Sequence, residues 1–127
     1  MNLIDLIAVI ALLQFFAFGL LVGQARGKYG VKAPAITGNE MFDRAFRVQM
    51  NTLEVLVLFV PALYLAAKYW SPTFVAIAGA VYVIGRIIYW RAYMAAPASR
   101  TFGFALSIGP CLVLLVASLV GAIRSFL

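Results

Sequence analysis

The sequence predicts an all-α membrane protein, a bundle of four transmembrane helices in one domain that covers residues 1–127. Hydrophobic residues make up 65% of the chain, against 10 basic and four acidic side chains. They occur in long blocks, and about 20 apolar residues suffice to cross the hydrocarbon, so the length accommodates about four crossings. The spans are predicted to be helices because every backbone N–H and C=O group must form a hydrogen bond within the protein in lipid. The other structure that achieves this is a β-barrel, and its alternating strands are absent from the sequence.

Four spans follow one another with short connections. The first has no basic leading region and no small-residue cleavage site, so it is expected to be a retained helix rather than a signal peptide. A basic, glycine-containing loop over residues 23–40 is expected to follow it. Tight turns at residues 70–72 and 95–101 separate the later spans. The predicted spans are 3–22, 41–68, 73–94 and 102–123.

Basic residues are distributed unevenly between the two predicted ends of the bundle. The loops after spans one and three carry Arg26, Lys28, Lys32 and Arg100, with further arginines close by. The opposite end has Lys68 and Arg124. Because positively charged loops stay in the cytoplasm, the loops after spans one and three are predicted to be cytoplasmic.

Composition also excludes several classes of function. The basic residues lie in spans and short connections rather than on one solvated face, which favours lipid headgroups or a small anionic ligand over nucleic acid. The sequence has no histidine and no Cys/His/carboxylate grouping with metal-ligand spacing, so no metal site is predicted. Cys111, the single cysteine, lies in an apolar run and is expected to be an inert packing residue.

Two polar stripes interrupt the apolar spans. Positions 44, 47, 51 and 54 of span two fall within an arc of roughly 80° on a helix, and positions 82, 86, 89 and 93 of span three within roughly 60°. Charged side chains are costly in hydrocarbon and therefore indicate a functional site. The two stripes are predicted to face each other and to form a polar site near the cytoplasmic boundary.

Each polar residue also has a purely structural interpretation. Arg91 and Lys68 are expected to extend to the headgroups. Glu54 lies more than two turns inside its span and could form a buried salt bridge with Arg47 or Arg86. That pair alone would leave Asn51 and the tyrosines on the same faces unexplained, so ligand binding is the favoured interpretation.

The two stripes carry guanidinium groups, one carboxylate, an amide and phenols. These groups are better suited to binding a small zwitterionic ligand rich in carboxylates than to catalysing hydrolysis. A tripeptide such as glutathione offers two carboxylates, an ammonium group and a thiol. The thiol has a pKa near about 8.5, and a guanidinium at the membrane edge would favour the thiolate. A hydrophobic electrophile could then reach it through the bilayer.

Three motifs resemble a known family. Residues 43–54 are similar to the (E/D)RxxRxxxNxxE signature of the membrane-associated proteins in eicosanoid and glutathione metabolism, the MAPEG family. Residues 85–93, followed by Arg100, resemble its GRxxYxxxY…R pattern. The stretches 22–29 and 34–38 are similar to its microsomal glutathione transferase and leukotriene-C synthase branch.

The resemblance implies a homotrimer of four-helix protomers with glutathione bound between subunits. It assigns thiolate stabilisation to Arg100 and leaves a ligand contact by Arg44 open. Val55 and Gly27 replace a tyrosine and an arginine of the synthase branch, and Thr52 replaces the aspartate of the prostaglandin-E synthase branch. The glutathione-binding residues implied are Arg26, Arg47, Gln49, Asn51, Glu54, Arg86, Tyr89 and Tyr93.

The sequence therefore predicts a membrane glutathione transferase that conjugates hydrophobic electrophiles, with possible peroxidase activity on lipid hydroperoxides. The bacterial inner membrane and the endoplasmic reticulum both fit. One alternative is a non-catalytic, lipid-binding member of the same family. A second, less favoured, is a small four-helix multidrug transporter, which would need a carboxylate deep in its first helix, whereas Asp5 lies near the end.

Overall fold

The protein folds into four long helices joined by short connections. The structure is a computed structural model that describes residues 2–127. A single 3-10 turn, Pro97–Ser99, lies between the third and fourth helices. The helices are α1 (Asn2–Tyr29), α2 (Glu40–Tyr69), α3 (Pro72–Ala95) and α4 (Thr101–Arg124).

Helices α2 and α3 form the centre of the bundle, and α1 and α4 each pack against both of them. The largest apolar core lies toward the end of the bundle where α2 ends and α3 begins. The rings of Phe59 and Tyr82 stack at its centre, with centroids 3.8 Å apart. Cys111 of α4 belongs to this core and is 0% exposed, as expected for a packing residue. The opposite end of the bundle holds smaller apolar clusters, and the polar side chains gather there.

The end of α1 differs from the prediction, because the helix continues to Tyr29 instead of ending near Val22. The predicted loop over residues 23–40 is therefore wrong in its first part, and Arg26 lies on a helix. The residue that follows the helix, Gly30, has a φ of 72°, which lies in the left-handed region that glycine adopts freely. The amides of Gly30 and Val31 both donate to the carbonyl of Arg26, at 2.9 and 3.1 Å, and buried Val31 completes this helix cap. The two glycines before it did not stop the helix, since interior glycine costs only about 1 kcal/mol.

The other helix boundaries confirm the predicted spans to within one residue. The side chain of Asn39 accepts hydrogen bonds from the amides of Met41 and Phe42, at 2.9 and 3.1 Å, and so caps the start of α2. Ser71 caps α3 in the same way, and Pro72 occupies its first turn, where a missing amide proton costs nothing.

Helices α3 and α4 approach each other closely at two glycines. A Cβ atom on Gly103 of α4 would lie 2.4 Å from the backbone nitrogen of Tyr89. A Cβ atom on Gly85 of α3 would lie 2.8 Å from the carbonyl oxygen of Leu106. Pro110 has no amide proton to donate to that carbonyl, which lies four residues earlier in α4. These contacts fix the start of α4 against the tyrosines of α3.

All four helices are long and apolar enough to cross a membrane. Large apolar side chains cover much of the outer surface on every helix. A water-soluble monomer rarely exposes so much contiguous apolar area, whereas lipid covers it at no cost. The protein is an integral, multi-pass membrane protein.

Replacing Gly103 with alanine is expected to destabilise the bundle. The added Cβ would meet backbone atoms of Tyr89 that cannot rotate away, at a cost of about 1–3 kcal/mol. Thermal unfolding in detergent checks this, with Gly23→Ala as the matched control, because no atom lies within 4 Å of a Cβ there. Equal midpoints for the two variants would show that the close approach of α3 and α4 is absent.

Candidate functional site

A polar pocket lies at the end of the bundle where α2 begins and α3 ends. Its volume is about 500 Å³. Helices α2 and α3 and the start of α4 all contribute side chains to it. The residues that line this polar pocket are Arg47, Asn51, Tyr89, Tyr93, Arg100, Thr101 and Phe104. Five of the nine predicted site residues therefore meet in one cavity, as the facing of the two stripes predicted.

Helical spacing places these side chains. Arg47 and Asn51 are one turn apart on α2, and Tyr89 and Tyr93 one turn apart on α3, so each pair projects from one face. The two tyrosine rings lie 5.6 Å apart between centroids. Arg100 comes just before α4, and its Nη1 donates to the carbonyl of Pro97 at 2.9 Å. Its guanidinium is exposed, and it takes part in no ion pair with any carboxylate in residues 2–127.

Arg86 lies behind the wall of the polar pocket and is 0% exposed. Its Nε donates to the Ser107 hydroxyl at 3.0 Å, and one terminal nitrogen donates to the Thr52 hydroxyl at 3.3 Å. The other terminal nitrogen donates to Oδ1 of Asn51 at 2.9 Å, and the guanidinium lies 4.2 Å from the centre of the Tyr89 ring. Within the single chain, Arg86 therefore acts on the pocket only through residues that line it.

This contact also orients the amide of Asn51. Since Oδ1 accepts from Arg86, the Nδ2 group faces the other way, and it lies 3.5 Å from Oε1 of Glu54. One N–H of this group is directed at the Glu54 carboxylate, which leaves the second N–H as a donor for a ligand. A donor at this position suits a carboxylate ligand and not an ammonium group.

Glu54 departs from the expectation that it is buried. Its carboxylate is 3.5 Å from the Arg47 guanidinium, and the two side chains are 56% and 52% exposed in the single chain. Of the two salt bridges considered for it, the one to Arg47 is present but half-exposed in the single chain rather than buried, and the one to Arg86 is wrong. Helical geometry explains this, because Glu54 shares the outward face of α2 with Arg47. Glu54 does not line the polar pocket, but it bonds to two residues that do.

Arg26 and Gln49 lie away from the polar pocket in the single chain. Nη1 of Arg26 donates to the carbonyl of Ala35 at 2.6 Å, and its guanidinium stands 4.9 Å from the centre of the Phe42 ring. The Gln49 side chain packs against Gly19 of α1. On α2, Gln49 lies roughly 160° around the helix from Arg47 and Asn51.

Arg44 has a structural role that the sequence did not reveal. Its Nη1 donates to the carbonyls of Met94 and Ala95, at 2.8 and 3.2 Å, and its Nη2 pairs with Glu40 one turn earlier. A cation at these carbonyls complements the negative end of α3. The contact ties the start of α2 to the connection that carries Arg100. No sequence signal could have found it, since it joins residues about 50 positions apart.

Ser107, Thr101 and Phe104 were also missed. Ser107 is a hydroxyl inside an apolar helix, which hinted at a buried polar partner. Thr101 and Phe104 carry no comparable signal and are placed by the turn at residues 97–99. Within residues 2–127, no group of three His, Cys, Asp or Glu side chains is arranged to hold a metal ion.

Comparison with known proteins identifies the family of the chain. The model of the MAPEG family matches residues 4–120, nearly the whole chain. The chain belongs to the MAPEG family. An uncharacterized Synechocystis sp. protein, sll1147, is 47% identical over 114 residues, which cover 90% of this chain and 83% of that protein.

Two further MAPEG relatives carry functional names. Human microsomal glutathione S-transferase 2 is 37% identical over 125 residues, which cover 98% of this chain and 85% of that protein. The leukotriene C4 synthase of Cavia porcellus is 32% identical over 116 residues, which cover 91% of this chain and 77% of that protein. The resemblance to this branch of the family is thus confirmed.

Replacing Arg44 with methionine is expected to loosen the connection between α3 and α4. Two carbonyls at the end of α3 lose their charged donor, so hydrogen exchange at residues 96–100 should rise about fivefold to tenfold. Exchange measured by mass spectrometry checks this. Arg91→Met is the control, because Arg91 is an exposed cation near the same helix end. Identical exchange in the two variants would contradict the role given to Arg44.

Proposed function

We propose that the protein is a membrane glutathione transferase, which joins the thiolate of glutathione to hydrophobic electrophiles. The observation that carries this proposal is the polar pocket, where Arg47, Asn51, Tyr89, Tyr93 and Arg100 meet beside Glu54. The family and its two named relatives supply independent support, since both names denote enzymes of this kind. The proposed co-substrate is glutathione, and the proposed reaction uses no metal.

The groups around the polar pocket match the polar ends of glutathione. Its two carboxylates are suited to the guanidinium of Arg47, which can bind them through two N–H donors, and to the Nδ2 group of Asn51. Its ammonium group suits the carboxylate of Glu54. Tyr89 and Tyr93 provide phenol groups at the pocket, and the partly exposed ring of Tyr93 also provides a flat surface along the peptide. Arg86 would act by fixing Asn51 and Tyr89.

Arg100 is the proposed activating residue. Its guanidinium is exposed at the pocket and keeps free N–H donors after its bond to Pro97. A positive group near the sulfur stabilises the thiolate over the thiol, and a pKa decrease of one to two units is worth about 1.4–2.8 kcal/mol. The thiol proton leaves to water, and the thiolate sulfur forms a bond to an electrophilic carbon. The bond that breaks at that carbon gives its electron pair to the departing group or ring oxygen, which water then protonates. Reduction of a lipid hydroperoxide by the same thiolate would consume two glutathione molecules for each peroxide.

The proposed assembly is a homotrimer with the site between subunits. Glu54 is the fifteenth of the 30 residues of α2, near the middle of a membrane-spanning helix. A carboxylate there is costly against lipid, yet more than half of its surface is uncovered in the single chain. A neighbouring subunit that covers this face would remove the cost. Arg26 and Gln49, which point away from their own pocket, would then complete the pocket of a neighbour.

The location follows from the same arrangement. The polar pocket lies at the end of the bundle that carries most of the basic residues, which the positive-inside rule places in the cytoplasm. The cytoplasm would thus supply glutathione, while the bilayer of a bacterial inner membrane or endoplasmic reticulum supplies the electrophile. This arrangement suits detoxification of lipid-soluble compounds.

The direct test of the proposal is a titration of the detergent-purified protein with glutathione, followed by thiolate absorbance in the ultraviolet. Saturable thiolate formation is expected. In Arg100→Ala, turnover should fall by about a hundredfold or more, whereas glutathione affinity should stay within about threefold, because the group acts on the thiolate. Absence of glutathione binding by the unmodified protein would instead favour the non-catalytic, lipid-binding alternative. Normal turnover with lost binding in Arg100→Ala would remove its assigned role.

Arg47→Ala is expected to weaken glutathione binding by about tenfold or more. The change removes a charged donor and leaves Glu54 without its partner, so both ends of the ligand are affected. Calorimetric titration checks the affinity, and Arg124→Ala at the far end of α4 is the control. Unchanged affinity in a folded Arg47→Ala protein would exclude the pocket as the glutathione site.

A further inference from the structure

A second cavity, the lateral pocket, lies between the end of α1, the start of α2 and the end of α3. Its volume is about 280 Å³. Leu21, Met41, Trp90 and Met94 form apolar walls, and Gln24 and Lys28 contribute the polar groups. Small-molecule sites are generally of this kind, mainly apolar with a few polar groups that fix the orientation.

The lateral pocket is separate from the polar pocket. On α2 the lateral pocket is lined by Met41 and the polar pocket by Arg47 and Asn51. Met41 lies roughly 80–120° around the helix from those two residues. On α3 the lateral pocket uses Trp90 and Met94, which neighbour Tyr89 and Tyr93 in sequence but point elsewhere. Helix α1 closes the lateral pocket, whereas the start of α4 closes the other. The two cavities share no lining residue.

Charge is distributed along the lateral pocket in one direction. Lys28 is in the last turn of α1 and is exposed, and it forms no ion pair with a carboxylate within residues 2–127. Leu21 is two turns earlier on the same helix, about 10 Å deeper toward the bilayer. A ligand would therefore meet a positive charge and an amide at the interface and only apolar walls below them.

We propose that the lateral pocket binds a long-chain carboxylic acid, such as a fatty acid, taken from the membrane. The carboxylate would pair with Lys28 and accept a hydrogen bond from Gln24, and the chain would lie against Leu21, Trp90 and Met94. The small volume fits one chain, whereas a phospholipid brings two chains and a larger headgroup. This site is independent of glutathione, because it uses none of the groups proposed to bind the peptide.

The two tryptophans of the chain allow a direct measurement. Trp90 lines the lateral pocket, and Trp70 lies at the opposite end of the bundle, after α2. Bromine atoms on an acyl chain quench tryptophan fluorescence only at short range. A brominated fatty acid is added to Trp70→Phe and Trp90→Phe proteins in neutral phospholipid vesicles at pH 8. Saturable quenching of Trp90 is expected, with only weak, non-saturating quenching of Trp70.

Matched ligands and variants test the role of charge. The brominated methyl ester, which has no charge, should need about tenfold more ligand to quench Trp90 equally. Lys28→Met in the Trp70→Phe background should weaken binding of the acid to the level of the ester and leave binding of the ester unchanged. Lys32→Met should change the binding of neither ligand. Equal quenching of both tryptophans, or an acid unaffected by Lys28→Met, would overturn the proposal. Tighter binding of a brominated anionic phospholipid than of the acid would also overturn it.

Discussion

The hydrogen bonds of Arg86 hold together the three helices that build the polar pocket. Its guanidinium is enclosed where water cannot reach it, and it donates to neutral acceptors on α2 and α4 while it lies against the Tyr89 ring on its own helix. A buried charge without such acceptors would cost several kcal/mol, so the helices must keep this arrangement. The position of Asn51 and the pairing of α3 with α4 both depend on it.

The exposed polar face of α2 imposes the second constraint. Arg47 and Glu54 neutralise each other on the surface of a helix that crosses the membrane, yet neither is covered within one chain. Bilayer lipid is a poor neighbour for this pair, and another protein surface with polar groups is a good one. In the proposed trimer a neighbouring subunit would cover this pair, and the proposed water-soluble ligand would lie beside it at the edge of an apolar phase.

Sequence periodicity predicted the four helices and the meeting of Arg47 and Asn51 with Tyr89 and Tyr93, because each stripe lies on one helix face. It failed at the end of α1, where Gly30 and the buried Val31 decide the boundary. It also missed the contact of Arg44 with the end of α3, since a pairing across about 50 residues depends on tertiary packing. The exposure of Glu54 could not be predicted from its distance to the end of the span, because the position of a residue along a helix does not give the direction of its side chain.

The enclosed thiol of Cys111 has a consequence for the durability of the protein. An enzyme that draws electrophiles from a bilayer meets them along its whole lipid-facing surface, and a free thiol is the side chain they modify most readily. The chain has one cysteine, which is 0% exposed inside the bundle, and no histidine. The chain thus carries no accessible thiol that the proposed electrophiles could alkylate, and in the proposed reaction the only reactive sulfur is the one that glutathione brings.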